Sequence, residues 1–550
     1  MQFGGDLLMT GAQALIESLK REQVAHIFGY AGATICPAVD ALKSHPEIGY
    51  TLVRTEQNAG HMASGYARIS GKVGVCMVTS GPGATNLITG IATAYMDSIP
   101  MVAITGQVPS NLLGRDIFQE VDITGAVAPF SKHSYLVKDA NDIPRIVKEA
   151  FHIASTGRPG PVLIDIPIDV QEQSLKKFYY PEEVSIRGYK PSVKGNDLQI
   201  KRVVEAISRS KQPLICAGGG VWLADAKEEL LELAERCSIP VVKTMMGLGL
   251  LPTDHPLNMG MIGAHGNHCA NKALAKADLL IMVGTRAADR AMVDPGEIQR
   301  RMATIHIDVD PAEIGKNMQA AIPLVGNVKV ILRQILDRYV AATDSAAWLE
   351  KLRDYRKAEL NRVFPRRAGS VFPGTVLRRL GARLDDDAVI CVDVGQNQIF
   401  ACKYIPQKHG RLLTSGGLGT MGYALPAAVG AKVAGPDRQT LVVCGDGSFQ
   451  MAMNELAAIR AADMDIKIVL FRNHTLGLVH QIQSSAPYHG PFGVALDGSP
   501  DFETIAAAYR VPCIQVGDED HLDEALDRFL GTQGSCLLIC EVHPDVGTND

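Results

Sequence analysis

The chain has 550 residues, 46% of them hydrophobic and 21% charged, with a net charge of −5. That length exceeds what one core holds and predicts about three or four domains of ordinary globular composition. The mild negative charge, with no basic block, argues against nucleic-acid binding, and no apolar run approaches the ~18 residues a membrane span needs.

The opening MQFGGDLLMTGAQALIESL lacks a signal peptide's basic flank and continuous apolar core, and reads as a helix after a short polar arm. Ala25 to Gly32 predicts a strand entering a glycine turn. Gly74 to Thr79 predicts another, followed by Ser80-Gly81-Pro82-Gly83 and a helix, with Met101 to Thr105 as the next strand. Lys176 to Val193 reads as a linker. Beyond it, Pro213 to Ala217 is a strand, Gly218-Gly219-Gly220 a turn, and Ala224 to Cys237 a helix. Leu279 to Val283 and Thr304 to Val309 are later strands, the second ending in the acid-bearing IDVDP. Strand, glycine turn, helix and a later acidic strand end follow the logic of a dinucleotide-binding fold, although the triple glycine is not GxGxxG. A charged, helical linker from Ala341 to Pro373 precedes a last domain that starts near Gly374. Eleven cysteines without a CxxC pair predict reduced core thiols in a cytoplasmic protein.

Residues 441–479 organise the chain. Leu441 to Cys444 predicts a buried strand, Gly445-Asp446-Gly447-Ser448 breaks it, Phe449 to Ala462 predicts a helix, and Ile466 to Phe471 predicts a second strand parallel to the first. The turn sets an acid and small residues at a helix start, where free N–H groups and the dipole suit a diphosphate. Asp446 offers a hard carboxylate oxygen to a divalent ion. Asn473, 27 residues further on, offers a neutral amide oxygen. Gly-Asp-Gly alone also makes ordinary turns. With the helix, strand and Asn at this distance, the stretch resembles the metal and diphosphate motif of thiamine diphosphate enzymes. The strand, glycine turn, helix and strand of 74–105 echo this layout, which predicts related α/β domains at the two ends.

Such a cofactor also requires an acid beside its pyrimidine ring and a support for its bent shape. Glu56 lies just beyond the apolar Tyr50-Thr51-Leu52-Val53, where a carboxylate can share a proton with the ring. Position alone favours the plainer reading, a surface acid paired with Arg54. Gly419 and Met421, in GGLGTMG, offer close backbone approach and one large soft side chain; a tight turn with a core Met fits the same residues.

RTEQNAGHMASGYAR, SGPGATNLITG, GRDIFQE, SKHSYLV, GRPGPVLIDIP, GLGTMGYALPAAVG and GDGSFQMAMNEL occur in this order. Together they resemble the catalytic subunit of acetohydroxyacid (acetolactate) synthases nearly end to end. The resemblance implies three α/β domains: pyrimidine-binding over 1–178, central and FAD-binding over 192–342, and diphosphate-binding over 372–550. The outer two would share the thiamine diphosphate-binding fold, with a Rossmann-like domain between them.

By this resemblance Glu56 activates the cofactor, and Asp446, Asn473 and the Thr475 carbonyl hold Mg²⁺. Gly395, Gln396, Asn397, Gly447, Ser448, Gly477 and Leu478 would line the diphosphate, with Pro82, Asn86, Gly419 and Met421 also at the cofactor. Phe118, Gln119 and Lys132 would stand at the substrate entrance, and Arg286 would receive the carboxylate of a second 2-oxo acid. For Phe118 a core aromatic is an even alternative. Gly218, Gly219, Gly220, Thr244, His265 and Arg290 match the family's FAD contacts. The implied reaction decarboxylates pyruvate and joins the two-carbon unit to a second 2-oxo acid, giving acetolactate-type products. The implied assembly is a homodimer or tetramer with active sites shared between chains, and whether a regulatory small subunit joins it stays open.

The chain departs from the family pattern in places. Asn397 stands for the usual His, Ile482 for a Trp that shapes the acceptor pocket, and Tyr30-Ala31-Gly32-Ala33 for Pro-Gly-Gly. Arg286-Ala287-Ala288-Asp289-Arg290 and Gly326-Asn327 each lack an acid near the flavin, so a relict nucleotide fold is the competing reading there. The chain stops at Asp550 without the family's long tail. Another 2-oxo acid decarboxylase, lyase, oxidase or acyl-transferase of the same superfamily is one alternative, and a non-catalytic nucleotide-binding protein on the old scaffold is another. The absence of an adjacent His pair favours ligation over aldehyde release, and the presence of Glu56, Asp446 and Asn473 disfavours a non-catalytic protein.

Overall fold

Three six-stranded, wholly parallel sheets, flanked by helices, make up the architecture. The computed structural model describes residues 8–338 and 343–548; the opening arm, the linker start at Ala341 with the boundary at 342, and the chain end at Asp550 lie outside the described residues.

The first unit comprises Met1–Lys190, Ser415–Asp437 and Met451–Met464. Its strands are β1 (His26–Tyr30), β2 (Gly49–Leu52), β3 (Gly74–Val78), β4 (Met101–Gln107), β5 (His133–Leu136) and β6 (Pro161–Pro167), ordered β2-β1-β3-β4-β6-β5. Every residue of β3, β4 and β6 is buried. Hence these strands read as mostly apolar runs rather than alternating ones, as a sheet covered on both faces demands, and the polar exceptions Thr105, Gln107 and Asp165 bond to one another. Helix Glu56–Ser70 is buried along almost its whole length because helix Ala424–Ala434 covers it. The crossing is very close: a Cβ on Gly65 would fall 2.0 Å from the Ala427 carbonyl oxygen, and one on Gly430 would fall 1.8 Å from that of Met62.

The second unit comprises Pro191–Thr414, Arg438–Gln450 and Asp465–Asp550 and carries two sheets. One holds β7 (Pro213–Ala217), β8 (Val241–Lys243), β9 (Asn258–Met261), β10 (Leu279–Val283), β11 (Ala303–Asp308) and β12 (Ile322–Val325), ordered β12-β11-β10-β7-β8-β9. Read from its own first strand, this is the dinucleotide-binding order, with the direction of winding reversing between β7 and β10. The other holds β13 (Val389–Val392), β14 (Arg411–Leu413), β15 (Thr440–Gly445), β16 (Lys467–Arg472), β17 (Cys513–Val516) and β18 (Cys536–Glu541), ordered β14-β13-β15-β16-β18-β17. That permutation is the one seen in the first unit, so the echo of 74–105 in 441–471 is a repeated topology. β15 and β16 pair in parallel from Leu441↔Lys467 to Gly445↔Phe471, as their sequences predict.

Local expectations need three corrections. The helix expected over Phe449–Ala462 begins earlier, at Asp446, and stops at Gln450; a 3₁₀ turn (Met453–Glu455) and a separate helix (Leu456–Ala461) follow. Helix formers fill this stretch, but Ala452 leaves helical backbone (φ −136°) and Glu455 is buried in hydrogen bonds to residues 54–58. Tertiary bonding overrides propensity there. The triple glycine is not a plain turn either, since Gly219–Leu223 is already helical before Lys227–Cys237. The helix in the second linker, Ala346–Leu360, is no free spacer. Trp348 and Leu352 are buried in the middle sheet's packing, and the Trp348 indole N–H donates to the Pro213 carbonyl at 3.3 Å.

All eleven cysteines are free thiols, and all but Cys36 and Cys513 are buried. Among the described residues no helix is long and apolar enough to cross a membrane.

Candidate functional site

In the first unit the chain leaves β2 and enters helix Glu56–Ser70 with Glu56 as its first residue. Asn86 Nδ2 donates to Glu56 Oε2 at 3.0 Å. A Cβ on Gly83 would sit 3.3 Å from Glu56 Oε1, so helix Pro82–Met96 starts directly beside this carboxylate. Gln119, in left-handed backbone (φ 62°), approaches the same corner, 2.8 Å from where a Gly81 Cβ would stand. The structure therefore brings Glu56, Pro82, Asn86 and Gln119 together, and Phe118 projects beside them 85% exposed. That exposure removes the core-aromatic alternative.

Lys132 does not join this group. It precedes β5, at the amino end of a parallel strand, whereas Glu56 follows the carboxyl end of β2. Its ammonium donates to the carbonyls of Ile153 and Thr156 and to the Tyr189 hydroxyl.

The far ends of the two helices hold Gly416 to Met421. Asp97, the C-cap of helix Pro82–Met96, accepts from the Gly417 N–H at 2.7 Å and from that of Gly416 at 3.3 Å, and is paired with buried Arg68 at 2.7 Å. Thr93 and Thr420 join their hydroxyls at 2.8 Å. Gly419 (φ 75°) and Met421 thus stand in a segment fixed by the last turn and C-cap of helix Pro82–Met96, at the end of that helix away from Glu56.

Glu455 escaped the sequence reading. Its side chain is fully buried, and Oε1 accepts from the Arg54 N–H (2.8 Å), the Thr55 N–H (3.3 Å) and Asn58 Nδ2 (2.8 Å). Burial raises its carboxyl pKa, while those donors pull it back down.

In the second unit Asp446 is 2% exposed, and its carboxylate accepts from three main-chain N–H groups: Gly447 (2.9 Å), Asn473 (3.1 Å) and His474 (2.7 Å). Burial raises its pKa against these donors. His474 reaches it through left-handed backbone (φ 58°). Asn473 Oδ1 accepts from the Thr475 N–H at 3.2 Å, so Asp446, Asn473 and Thr475 form one connected group. Asn473, Thr475, His480 and Phe492 line an open cleft of about 440 Å³. Among the described residues no three His, Cys, Asp or Glu side chains are grouped so that they could hold a metal ion. A cation at this group would therefore rest on one carboxylate and neutral oxygens, a donor set that suits Mg²⁺ completed by a diphosphate.

Gly395, Gln396, Asn397, Gly447, Ser448 and Gly477 surround that group. A Cβ on Gly477 would meet Gln396 Oε1 at 2.1 Å and Asn473 Nδ2 at 2.5 Å, so any side chain there would push these two amides out of place. Asn397 turns its NH₂ inward to the Asp393 carbonyl (2.6 Å), leaving Oδ1 beside Gly395 and Gly445. Gln396 Nε2 donates to Gln481 Oε1 and the Val546 carbonyl. Leu478 follows Gly477 in the short helix that also carries Ile482, which is 51% exposed.

In the middle sheet Gly218 to Gly220 follow β7 and Arg286 follows β10, at the carboxyl ends of the two strands that flank the point of reversal, and Thr244 follows β8, the next strand out from β7. Ligands of such sheets bind there. Gly218 and Gly220 are required for another reason, since their Cβ atoms would strike Gly284 backbone at 2.3 and 2.7 Å. His265 and the exposed Arg290 belong to neighbouring loops, joined where the Ala264 N–H donates to the Arg290 carbonyl. Partial burial, then Arg290 and Lys403, lower the His265 pKa.

Three family models match the chain: thiamine pyrophosphate enzyme, N-terminal TPP binding domain (residues 9–126), central domain (200–335) and C-terminal TPP binding domain (393–540). The chain is 43% identical over 531 residues to an acetolactate synthase large subunit of Corynebacterium glutamicum, covering 94% of this chain and 84% of the relative. It is 43% identical over 558 residues to an acetolactate synthase of Arthrospira platensis (98% and 95%). A third relative, the acetolactate synthase large subunit of Lactococcus lactis, is 40% identical over 519 residues (94% and 90%).

Proposed function

The chain belongs to the thiamine pyrophosphate enzymes, within the acetolactate synthase family, and from that premise we propose how its residues divide the work. It is a thiamine diphosphate-dependent carboligase that condenses two 2-oxo acids, pyruvate being the one decarboxylated. The observation that supports this most is the connected oxygen group of Asp446, Asn473 and Thr475 at a glycine-lined strand end. Asp446, Asn473 Oδ1 and the Thr475 carbonyl would hold Mg²⁺. Gly395, Gln396, Asn397, Gly447, Ser448, Gly477 and Leu478 would surround the diphosphate, with free N–H groups and small side chains. When bound, thiamine diphosphate supplies the electron sink that decarboxylation needs.

Glu56 would hold a proton at the pyrimidine ring, oriented by Asn86. Met421 would support the cofactor's bend, with Gly419 and Pro82 admitting close approach. Phe118 and Gln119 would border the substrate entrance, and Arg286 would receive the acceptor carboxylate. Lys132, bound to main-chain oxygens, would act on that entrance only through the fold behind it. FAD would lie at the reversal point of the middle sheet, against Gly218 to Gly220, Thr244, His265 and Arg290.

Incubation with pyruvate alone should yield acetolactate, with thiamine diphosphate and FAD released on denaturation and identified by mass. Acetaldehyde or acetyl phosphate as the main product overturns the carboligase reading. Ile482 replaces an indole by a smaller aliphatic group, which removes aromatic contact area at the acceptor side. Preference for 2-oxobutyrate over pyruvate as acceptor should be weak, and Ile482→Trp should strengthen it; an unchanged product ratio in competition refutes this.

A homodimer or tetramer with shared sites, and a small regulatory subunit as partner, complete the proposal; relatives named large subunits support the latter. Mixing inactive Glu56→Gln with inactive Asp446→Ala subunits should restore partial activity, since one site of a mixed dimer carries neither lesion. Proven subunit exchange without any activity rules out sharing.

A further inference from the structure

Helix Glu56–Ser70 has an unusual start. Its N-cap, Thr55, makes no side-chain capping bond, so the usual hydroxyl-to-amide closure is missing. The acceptor comes instead from roughly 400 residues away, as Glu455 Oε1 takes the Arg54 N–H, the Thr55 N–H and Asn58 Nδ2. Those three donors bracket Glu56. They define the direction in which the chain turns from β2 into the helix, and with it where the Glu56 carboxylate points. Asn58 is 1% exposed and Glu455 0%, so the bond between these two side chains is shielded from water. Glu455 Oε2 is buried with no hydrogen-bond partner among the described residues.

We propose that Glu455 is a positioning residue for Glu56: it caps the Glu56 helix in place of Thr55 and fixes the angle at which Glu56 meets the cofactor. This rests on the role proposed for Glu56 above. A group that acts only by placement changes the rate of the step it serves more than the binding of the cofactor, and small misplacements cost up to ~10²-fold.

The test is exchange of the C2 hydrogen of bound thiamine diphosphate for deuterium, measured per bound cofactor in the holoenzyme. Glu455→Ala should slow exchange by ~10- to 10²-fold while the cofactor stays bound. Glu455→Gln, whose amide oxygen can still accept the three donors, should recover part of the loss. Glu455→Ala combined with Glu56→Gln should be no slower than Glu56→Gln alone. A merely structural role predicts a lower Tm with wild-type exchange in the folded fraction, and that result overturns the proposal. Where Glu455→Ala does not fold, Asn58→Ala, which removes one of the three donors, takes its place, and wild-type exchange there overturns the proposal equally. Should Glu56→Gln itself exchange like wild type, the reading of Glu56 fails, and this outcome is distinct from a failure confined to Glu455.

Discussion

Asp446→Ala is expected to lose Mg²⁺ and thiamine diphosphate together while the fold survives. Asp446 is the one charged member of the oxygen group that includes Asn473 and Thr475, so without it a divalent ion meets neutral oxygens alone. The lesion also removes the acceptor of the Gly447, Asn473 and His474 N–H groups, which shapes the turn that carries Asn473. Loss of an outer-shell partner typically costs ~10–100-fold in metal affinity, and loss of the charged ligand should exceed that. The sheet around it does not depend on this carboxylate, since β15 and β16 pair along their whole length through backbone bonds. Metal content and retained cofactor after gel filtration, with circular dichroism as the check on folding, decide the matter. Wild-type retention of thiamine diphosphate by Asp446→Ala removes Asp446 from the metal site.

What the sequence revealed and what it hid follow from the range of the interactions. Parallel strands covered on both faces are continuous apolar runs, so β3, β4, β7, β10, β15 and β16 were legible one by one. The shared topology of the outer sheets was visible as an echo, because a strand, a glycine turn and a helix recur with similar spacing. Asp446 and Asn473 were legible because one βαβ traverse joins them. Glu455 was not, although it stands in the same GDGSFQMAMNEL stretch. Its partners, Arg54, Thr55 and Asn58, lie in the first sixty residues, and by composition alone Glu455 is only another helix former. The same distance hides the grip of Asp97 on Gly416 and Gly417. One local signal was present: a lone acid among apolar neighbours ahead of Leu456 marks a buried carboxylate in need of donors. Lys132 shows the reverse case, where a matching motif did not reveal that its ammonium is bound to carbonyls at the other end of the sheet.

Glu56→Gln is expected to keep Mg²⁺ and thiamine diphosphate bound and to slow C2 exchange by ~10²–10⁴-fold, the usual size of a general acid–base contribution. The substitution is close to isosteric. A glutamine oxygen can still accept from Asn86 Nδ2, which holds Glu56 Oε2 at 3.0 Å, and the helix start retains its cap from Glu455. What is lost is the carboxyl's capacity to exchange a proton, because an amide neither takes one up nor releases one near neutral pH. Binding is carried elsewhere, by the oxygen group at Asp446, so affinity and exchange should separate in this variant as they do not in Asp446→Ala. The corner also tolerates the change in volume: Gly83, with no side chain, faces the other carboxylate oxygen, where the new NH₂ would sit. Exchange at the wild-type rate, with cofactor bound, would mean that a group other than Glu56 activates the cofactor.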